Sequence, residues 1–173
     1  MNKLSKKIRI FDFDDTIATS KSMVLIESPK GIKNKLNAEE FAKYGEKLMN
    51  ENYKFDFSEF DKVVGGKQGP LFNLAKRIKS KNGNKDLFIL TARSSNSQEA
   101  IHEFLKSQNL EFKKENIIGL GDSTGLAKAK WIMSKIKEGY NDVFFADDAE
   151  TNTIAVKKLI SKLNVKYKIQ LVK

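Results

Sequence analysis

The sequence predicts an α/β fold built on a mostly parallel sheet, and three observations carry the prediction. Strand and helix signals alternate along the chain, the pattern of strands joined by helical crossovers. Each predicted core strand has an apolar body, and polar or charged residues collect where several of them end. At 173 residues and 40% hydrophobic content, the chain is long enough for one well-buried core.

Taken in order, "KKIRIFDF" reads as the first strand and "DLFILTA", Asp86 to Ala92, as the second. "SNSQEAIHEFLKSQNL" is a helix with Ala100, Ile101, Phe104 and Leu105 on one face. "ENIIGLG" is a short third strand, and "LAKAKWIMSKIKEG" a helix closed by Gly139. "NDVFFAD" is a fourth strand. "TNTIAVKKLISKLN" is a helix aligning Ile154, Ala155, Leu159, Ile160 and Leu163, and "YKIQLV" can close the sheet.

The stretch from Asp12 to Thr91 is far longer than the roughly 30 residues that one crossover unit needs. Within it, "MVLIESPKGIKNKL" reads as a hairpin turning at Ser28–Gly31. "NAEEFAKYGEKLMNE" opens with Asn37 as N-cap and Glu40 three residues on, a capping box, with Phe41, Tyr44, Leu48 and Met49 as its apolar face. "YKFDFSEF" is aromatic and fits either strand or loop. "GPLFNLAKRIKSK" starts a crossover helix with Pro70 near its first turn. Residues 19–69 therefore form an insertion, and residues 1–18 with 70–173 form the core. An insertion placed directly after the first strand either covers a site there or merely decorates the fold.

Composition narrows the classes. No apolar run approaches the ~20 residues of a membrane span, and mean hydropathy is −0.48, so a soluble protein is expected. The basic N-terminal stretch has no apolar signal core. The absence of cysteine excludes a disulfide framework and thiolate chemistry, and a cytosolic setting is expected. The net charge is +10, but of 32 basic side chains only Arg9, Arg77 and Arg93 are arginines. The lysines are scattered rather than grouped with aromatics, so a pull on phosphorylated substrates explains them more simply than a nucleic-acid partner.

The chemistry collects at the strand ends, where ligands bind in open parallel sheets. The first strand ends in Asp12, Asp14, Asp15 and Thr16; the second in Thr91 and Arg93. "GLGDSTGLAKAKW" leads to Lys128 and Lys130, and "FFADDAETN" supplies Asp147, Asp148 and Asn152. Like charges about 4 Å apart repel by about 4 kcal/mol at an effective dielectric of ~20. A crowd of carboxylates therefore calls for a cation. Oxygen ligands without His or Cys point to Mg2+. A carboxylate beside such an ion can attack phosphorus, a second can move protons, and Thr and Lys can hold phosphoryl oxygens.

The order "DFDDT", "LTAR", "KAKWI", "FADD" resembles the haloacid dehalogenase-like (HAD) phosphohydrolase superfamily. The match covers the core, leaving out the insertion and last strand, and extends to small phage-encoded and bacterial members, nucleotidase-like and RNA-repair-associated ones among them. It implies a Rossmann-like three-layer α/β/α sandwich with a small C1-type cap at the insertion. It further implies an Mg2+-dependent phosphomonoesterase working through an aspartyl-phosphate on a nucleotide or other small phosphorylated metabolite. Carried over by position, Asp12 is nucleophile and metal ligand, and Asp14 is general acid/base and binds the metal through its carbonyl. Thr91 and Lys128 bind the phosphoryl group, with Lys130 as the alternative lysine. Asp148 is the direct metal ligand, and Asp147 lies behind it or alternates with it. Asp15, Thr16 and Arg93 fall on the phosphate-binding side, although Thr16 also fits a support for the loop geometry and Arg93 an ordinary surface ion pair.

His102 reads as a half-exposed structural residue. Phe55, Phe57 and Phe60 suit either a small hydrophobic core or a base-stacking surface. A two-component receiver domain uses the same residue types, but its acidic pair ends the first strand, and here that pair comes late. The remaining alternatives are a polynucleotide-end phosphatase and a non-catalytic nucleic-acid-binding module on the same scaffold.

Overall fold

The computed structural model describes residues 4–173. The chain runs β1 (Lys7–Phe11), β2 (Ala18–Thr19), β3 (Val24–Glu27), β4 (Lys33–Leu36), α1 (Ala38–Asn50), β5 (Lys54–Asp56) and β6 (Lys67–Gln68). It continues α2 (Phe72–Asn82), β7 (Leu87–Thr91), α3 (Gln98–Ser107), β8 (Ile117–Gly119), α4 (Gly125–Lys137), β9 (Asp142–Asp147), α5 (Glu150–Ile160) and β10 (Lys166–Leu171).

Five strands form one all-parallel sheet in the order β10-β9-β1-β7-β8. The apolar runs of β1, β7 and β9 are buried because both sheet faces are occupied, and alternate residues enter two separate clusters. Phe11, Leu87 and Ile89 pack with Ala75 of α2 and Ile101 and Leu105 of α3. Ile10, Phe88, Leu90, Val143 and Phe145 pack with Ala129 and Ile132 of α4 and Val156 and Ile160 of α5. Each of the Val, Leu, Ile and Phe side chains, fully buried, contributes about 1.5–3 kcal/mol of transfer free energy. From β1 the chain moves outward to β7 and β8, then returns to the other side of β1 for β9 and β10. That reversal opens a crevice beyond the carboxyl end of β1, where α/β sheets bind ligands.

Between β1 and β7 lies a smaller body. The predicted hairpin forms, with β3 and β4 antiparallel around Gly31 at φ +84°. The ambiguous aromatic stretch becomes β5, which joins β3 to give the order β4-β3-β5. Asn37 caps α1 through a complete capping box with Glu40. Val24, Ile26, Leu36, Phe41 and Phe60 form this body's own apolar cluster, with Phe55 and Phe57 stacked on each other and meeting the Phe41 ring edge-on. The base-stacking alternative for these rings gives way to packing. Antiparallel β2 and β6 pair Ala18 with Gln68 and Thr19 with Lys67, a two-stranded stem at the predicted insertion ends.

Some local readings shift. Tyr44 and Met49 of α1 are 43% and 44% exposed, because the helix packs through Phe41 and Gly45, where the Phe41 ring covers the missing Cβ. Ile154 is 57% exposed. Asn152 must point inward to Asp147, which rotates α5 so that Val156 and Ile160 form its inner face. Pro70 sits just outside α2, whose N-cap is Leu71.

Gly119 on β8 lies against the Ser94 backbone, so that any Cβ would overlap the Ser94 carbonyl. Gly119→Ala is expected to cost about 1–3 kcal/mol through overpacking, measured by urea unfolding. An unchanged midpoint would show that the Ser94 turn yields freely.

Candidate functional site

The first strand delivers its acids by alternation. Phe11 and Phe13 go into the core, while Asp12 continues the ladder through its N–H to the Ala146 carbonyl at 2.9 Å. The chain then turns tightly. The N–H groups of Thr16, Ile17 and Ala18 all donate to the Phe13 carbonyl, and Asp15 takes the left-handed conformation at φ +61°. An Asp tolerates that conformation better than most residues. The turn leaves Asp12, Asp14 and Asp15 facing one cleft.

Asp12, Lys128 and Asp147 form its buried floor, at 6%, 2% and 0% exposure. The Lys128 ammonium donates to Asp12 Oδ1 at 2.9 Å and to Asp147 Oδ2 at 2.7 Å. Lys128 reaches this position from the second turn of α4. That helix is capped by Thr124, and its Gly125 lets it approach α5 against Ala155 and the Thr151 carbonyl. Asp147 is further held by the Ala149 N–H (2.9 Å) and the Asn152 amide (3.0 Å). The Thr16 hydroxyl donates to Asp12 Oδ2 at 3.1 Å. Oxygens of Asp12, Asp147 and Asp148 all lie within 4.8 Å of one another.

Three carboxylates around one ammonium leave a deficit of positive charge. Burial, then the Asp147 charge, pushes Asp12 well above the usual carboxylate range, against the pull of Lys128. Burial, with the Asp147 and Asp15 charges adding to it, pushes Asp148 up to about 6. Burial acts to lower Lys128, and Asp12 and Asp147 more than reverse this and hold it above the usual lysine range. Asp15 is raised by burial and then by Asp14. The donor set is the kind that takes a divalent cation: hard oxygens, too much negative charge, and Asp148 on the open side. A second group, Glu99, His102 and Glu103, lies on the exposed side of α3.

The charge deficit makes a prediction. Asp148 titrates near 6 in the folded metal-free chain and near its ordinary value when unfolded. Its contribution to stability is therefore full below about pH 4 and is lost as pH rises through about 6. A divalent cation held by these carboxylates would replace the missing charge at neutral pH and compete with protons in acid. Mg2+ is thus expected to raise the melting temperature more at pH 7.5 than at pH 5 in a thermal-shift series. A shift no larger at pH 7.5 would argue against carboxylate ligands.

The second strand contributes Thr91 and Arg93. Thr91 Oγ1 accepts the Arg93 N–H at 3.1 Å and lines the cleft. Asp14 meets Arg93 in a two-bond ion pair, at 2.7 and 2.9 Å. The opposite wall comes from the smaller body: Ala38, Phe41 and Ala42 of α1 and the Phe60 ring. Free space between the walls is only about 40 Å³. A roomier depression of about 500 Å³ lies on the outer face of β4-β3-β5, lined by Leu25, Lys33, Lys35 and Lys54 among others. It gathers neither a nucleophile nor converging acids, so the smaller cleft is the candidate site.

Of the residues singled out from the sequence, Asp12, Asp14, Asp15, Thr91, Arg93, Lys128, Asp147 and Asp148 all line this cleft. Three readings are corrected. Lys130 is exposed on the far side of α4, since two residues along a helix turn about 200°; Lys128 is the lysine at the site. Thr16 is fully buried and spends its hydroxyl on Asp12, so it orients Asp12 and has no contact to offer a phosphate. Arg93 is neither a surface residue nor free for a phosphate, being buried with its donors engaged. The Ala38–Phe41–Ala42 wall is absent from the sequence reading, where α1 shows only an apolar face. Comparison with protein-family models, with curated proteins and with solved structures finds no match for this chain.

Proposed function

We propose that this protein is an Mg2+-dependent phosphomonoesterase of the HAD type, with a three-layer α/β/α core and residues 19–69 as a small cap. The observation that carries the reading is the buried Asp12–Lys128–Asp147 cluster with Asp148 beside it and Asp14 across the cleft. Asp12, Asp148 and the Asp14 carbonyl would hold the ion, with Asp147 behind them. When bound, Mg2+ offsets the charge of carboxylates and phosphoryl oxygens, letting the two anions meet.

The chain's own residues do the rest. Thr16 orients Asp12 so that Oδ1, on the Lys128 side, stays within the cleft. Lys128 lowers the repulsion between Asp12 and an arriving phosphate and offsets charge developing on the phosphoryl oxygens. The Asp12 carboxylate would bond to phosphorus as the ester P–O bond breaks, and the leaving oxygen would take a proton from Asp14, which must first turn from its two-bond contact with Arg93 and take up a proton from water. Water then attacks the aspartyl-phosphate, giving its proton to Asp14 and releasing phosphate and Asp12. Asp147 fixes the Lys128 ammonium through the bonds that fix Asp147 itself.

A small phosphorylated compound, a nucleotide among them, is the proposed substrate, with a polynucleotide end as the alternative. The cysteine-free sequence makes a cytosolic setting part of the proposal. The test is release of phosphate from 4-nitrophenyl phosphate and a panel of phosphorylated metabolites, with Mg2+ and with EDTA. Metal-dependent turnover is expected. Folded protein that turns over no phosphoester with Mg2+ present would replace this reading with the binding module.

A further inference from the structure

Away from the cleft, helix phase gathers cations that the sequence scatters. α2 turns Phe72, Ala75 and Ile78 toward the core. Its outward stripe is therefore Asn73, Lys76, Arg77, Ser80 and Lys81, neighbours three and four residues apart that line one open depression of about 470 Å³. No acidic residue lies between Lys67 and Lys85. Beside the end of the helix, Lys6, Lys7 and Arg9 line a second depression of about 260 Å³ with Ile78 and Asn82. The one acid in that lining, Asp86, already accepts the Tyr140 hydroxyl at 2.6 Å. Among the described residues, none of these cations pairs with a carboxylate.

The other helices differ. α1 and α3 mix Lys with Glu, and α5 begins with Glu150. α4 also lacks an acid, but its Lys128 is spent in the cleft and its Lys135 pairs with Glu138. Arginine is rare in this chain. Arg93 is held in the cleft, and the other two, Arg9 and Arg77, both stand on this surface. The planar guanidinium fork matches phosphate oxygens better than an ammonium does.

We propose that this surface docks the backbone of duplex nucleic acid, without regard to sequence. Charge complementarity is the ground: unpaired cations, with Asn73 and Ser80 as hydrogen-bond donors among them, suit regularly spaced phosphates. The stripe carries no aromatic ring on which unpaired bases would stack. Nor does α2 expose a large apolar side chain that would enter a bilayer. Duplex is therefore favoured over single strand and over an anionic membrane. Docking there leaves the cleft clear, since β1 sets Lys7 about 17 Å from Asp12 at ~3.3 Å per residue. It does not depend on what the cleft hydrolyses.

The test is fluorescence anisotropy of a short labelled duplex of mixed sequence, titrated with the whole chain from about 50 to 200 mM salt. With about five phosphates neutralised, affinity falls about 500-fold over that range. The triple variant Lys76→Gln/Arg77→Gln/Lys81→Gln keeps helix propensity. It is expected to melt with the unaltered protein and to bind at least about tenfold more weakly at ~100 mM salt. Its slope of log affinity against log salt should be shallower by about 2–3. A second triple, Lys33→Gln/Lys35→Gln/Lys54→Gln, removes the same charge from the outer face of β4-β3-β5. It should change affinity by less than about threefold, because distant charges are screened.

Equal loss in the two triples would show attraction to overall charge alone and overturn the proposal. Tighter binding to the single strand, or to anionic lipid vesicles at equal phosphate concentration, would overturn it as well. So would no binding of the duplex by the unaltered chain at the lowest salt.

Discussion

Replacing Lys128 with methionine is expected to destabilise the metal-free protein by about 3–5 kcal/mol, the loss typical when one partner of a buried ion pair is removed. For a chain of this length, that lowers the melting temperature by roughly 10 °C. The reason is specific to the floor of the cleft. Among the described residues, Lys128 is the only cation touching Asp12 and Asp147, and both carboxylates are buried. Without it they must either face each other charged in a low-dielectric space or take up protons. The variant should therefore regain stability as pH falls, because its folded carboxylates then bind protons that the unfolded chain gives up. Mg2+ at neutral pH should restore part of the loss. Calorimetry across pH 5 to 8, with and without the ion, measures all three effects. A melting temperature equal to that of the unaltered protein would mean that the ammonium does not balance these acids.

Asp12→Asn has the opposite signature. On the proposed phosphomonoesterase reading, turnover of any phosphoester is expected to fall on the order of 10⁴-fold or more, as for loss of other covalent nucleophiles, because the amide would not bond to phosphorus in Asp12's place. Stability should hold or rise. Burial and Asp147 already disfavour the charged form of Asp12, and an amide of nearly the same shape can still accept from Thr16 or Lys128. A protein that melts no lower yet has lost its chemistry is what a site strained for function gives. Retention of more than a tenth of the activity would exclude Asp12 as nucleophile.

These two residues also show what a sequence can and cannot carry. Asp12 is legible because it ends an apolar run that can only be a strand, and a carboxylate at that point has no structural excuse. Lys128 is half legible. The pattern "KAK" offers two lysines, and only the phase of α4, fixed by the Thr124 cap and the close approach at Gly125, turns Lys128 inward and Lys130 outward. Arg93 was the least legible. Two positions after Thr91, it reads equally as a phosphate ligand or a surface residue. Besides Asp14 and Ser20, its partners are two main-chain carbonyls, which leave no trace in residue type.

By itself, then, the sequence determined the parallel α/β core, the place of the insertion and the gathering of acids at the strand ends. Periodicity, turn chemistry and strand termini are local properties, written in consecutive residues. The tertiary structure alone decided which lysine meets Asp12, that the Thr16 hydroxyl is spent on Asp12, and that Arg93 joins Asp14 to residues 60–62. Those outcomes depend on helix phase and on backbone groups brought together from distant segments, and neither is encoded in the spacing of any one motif.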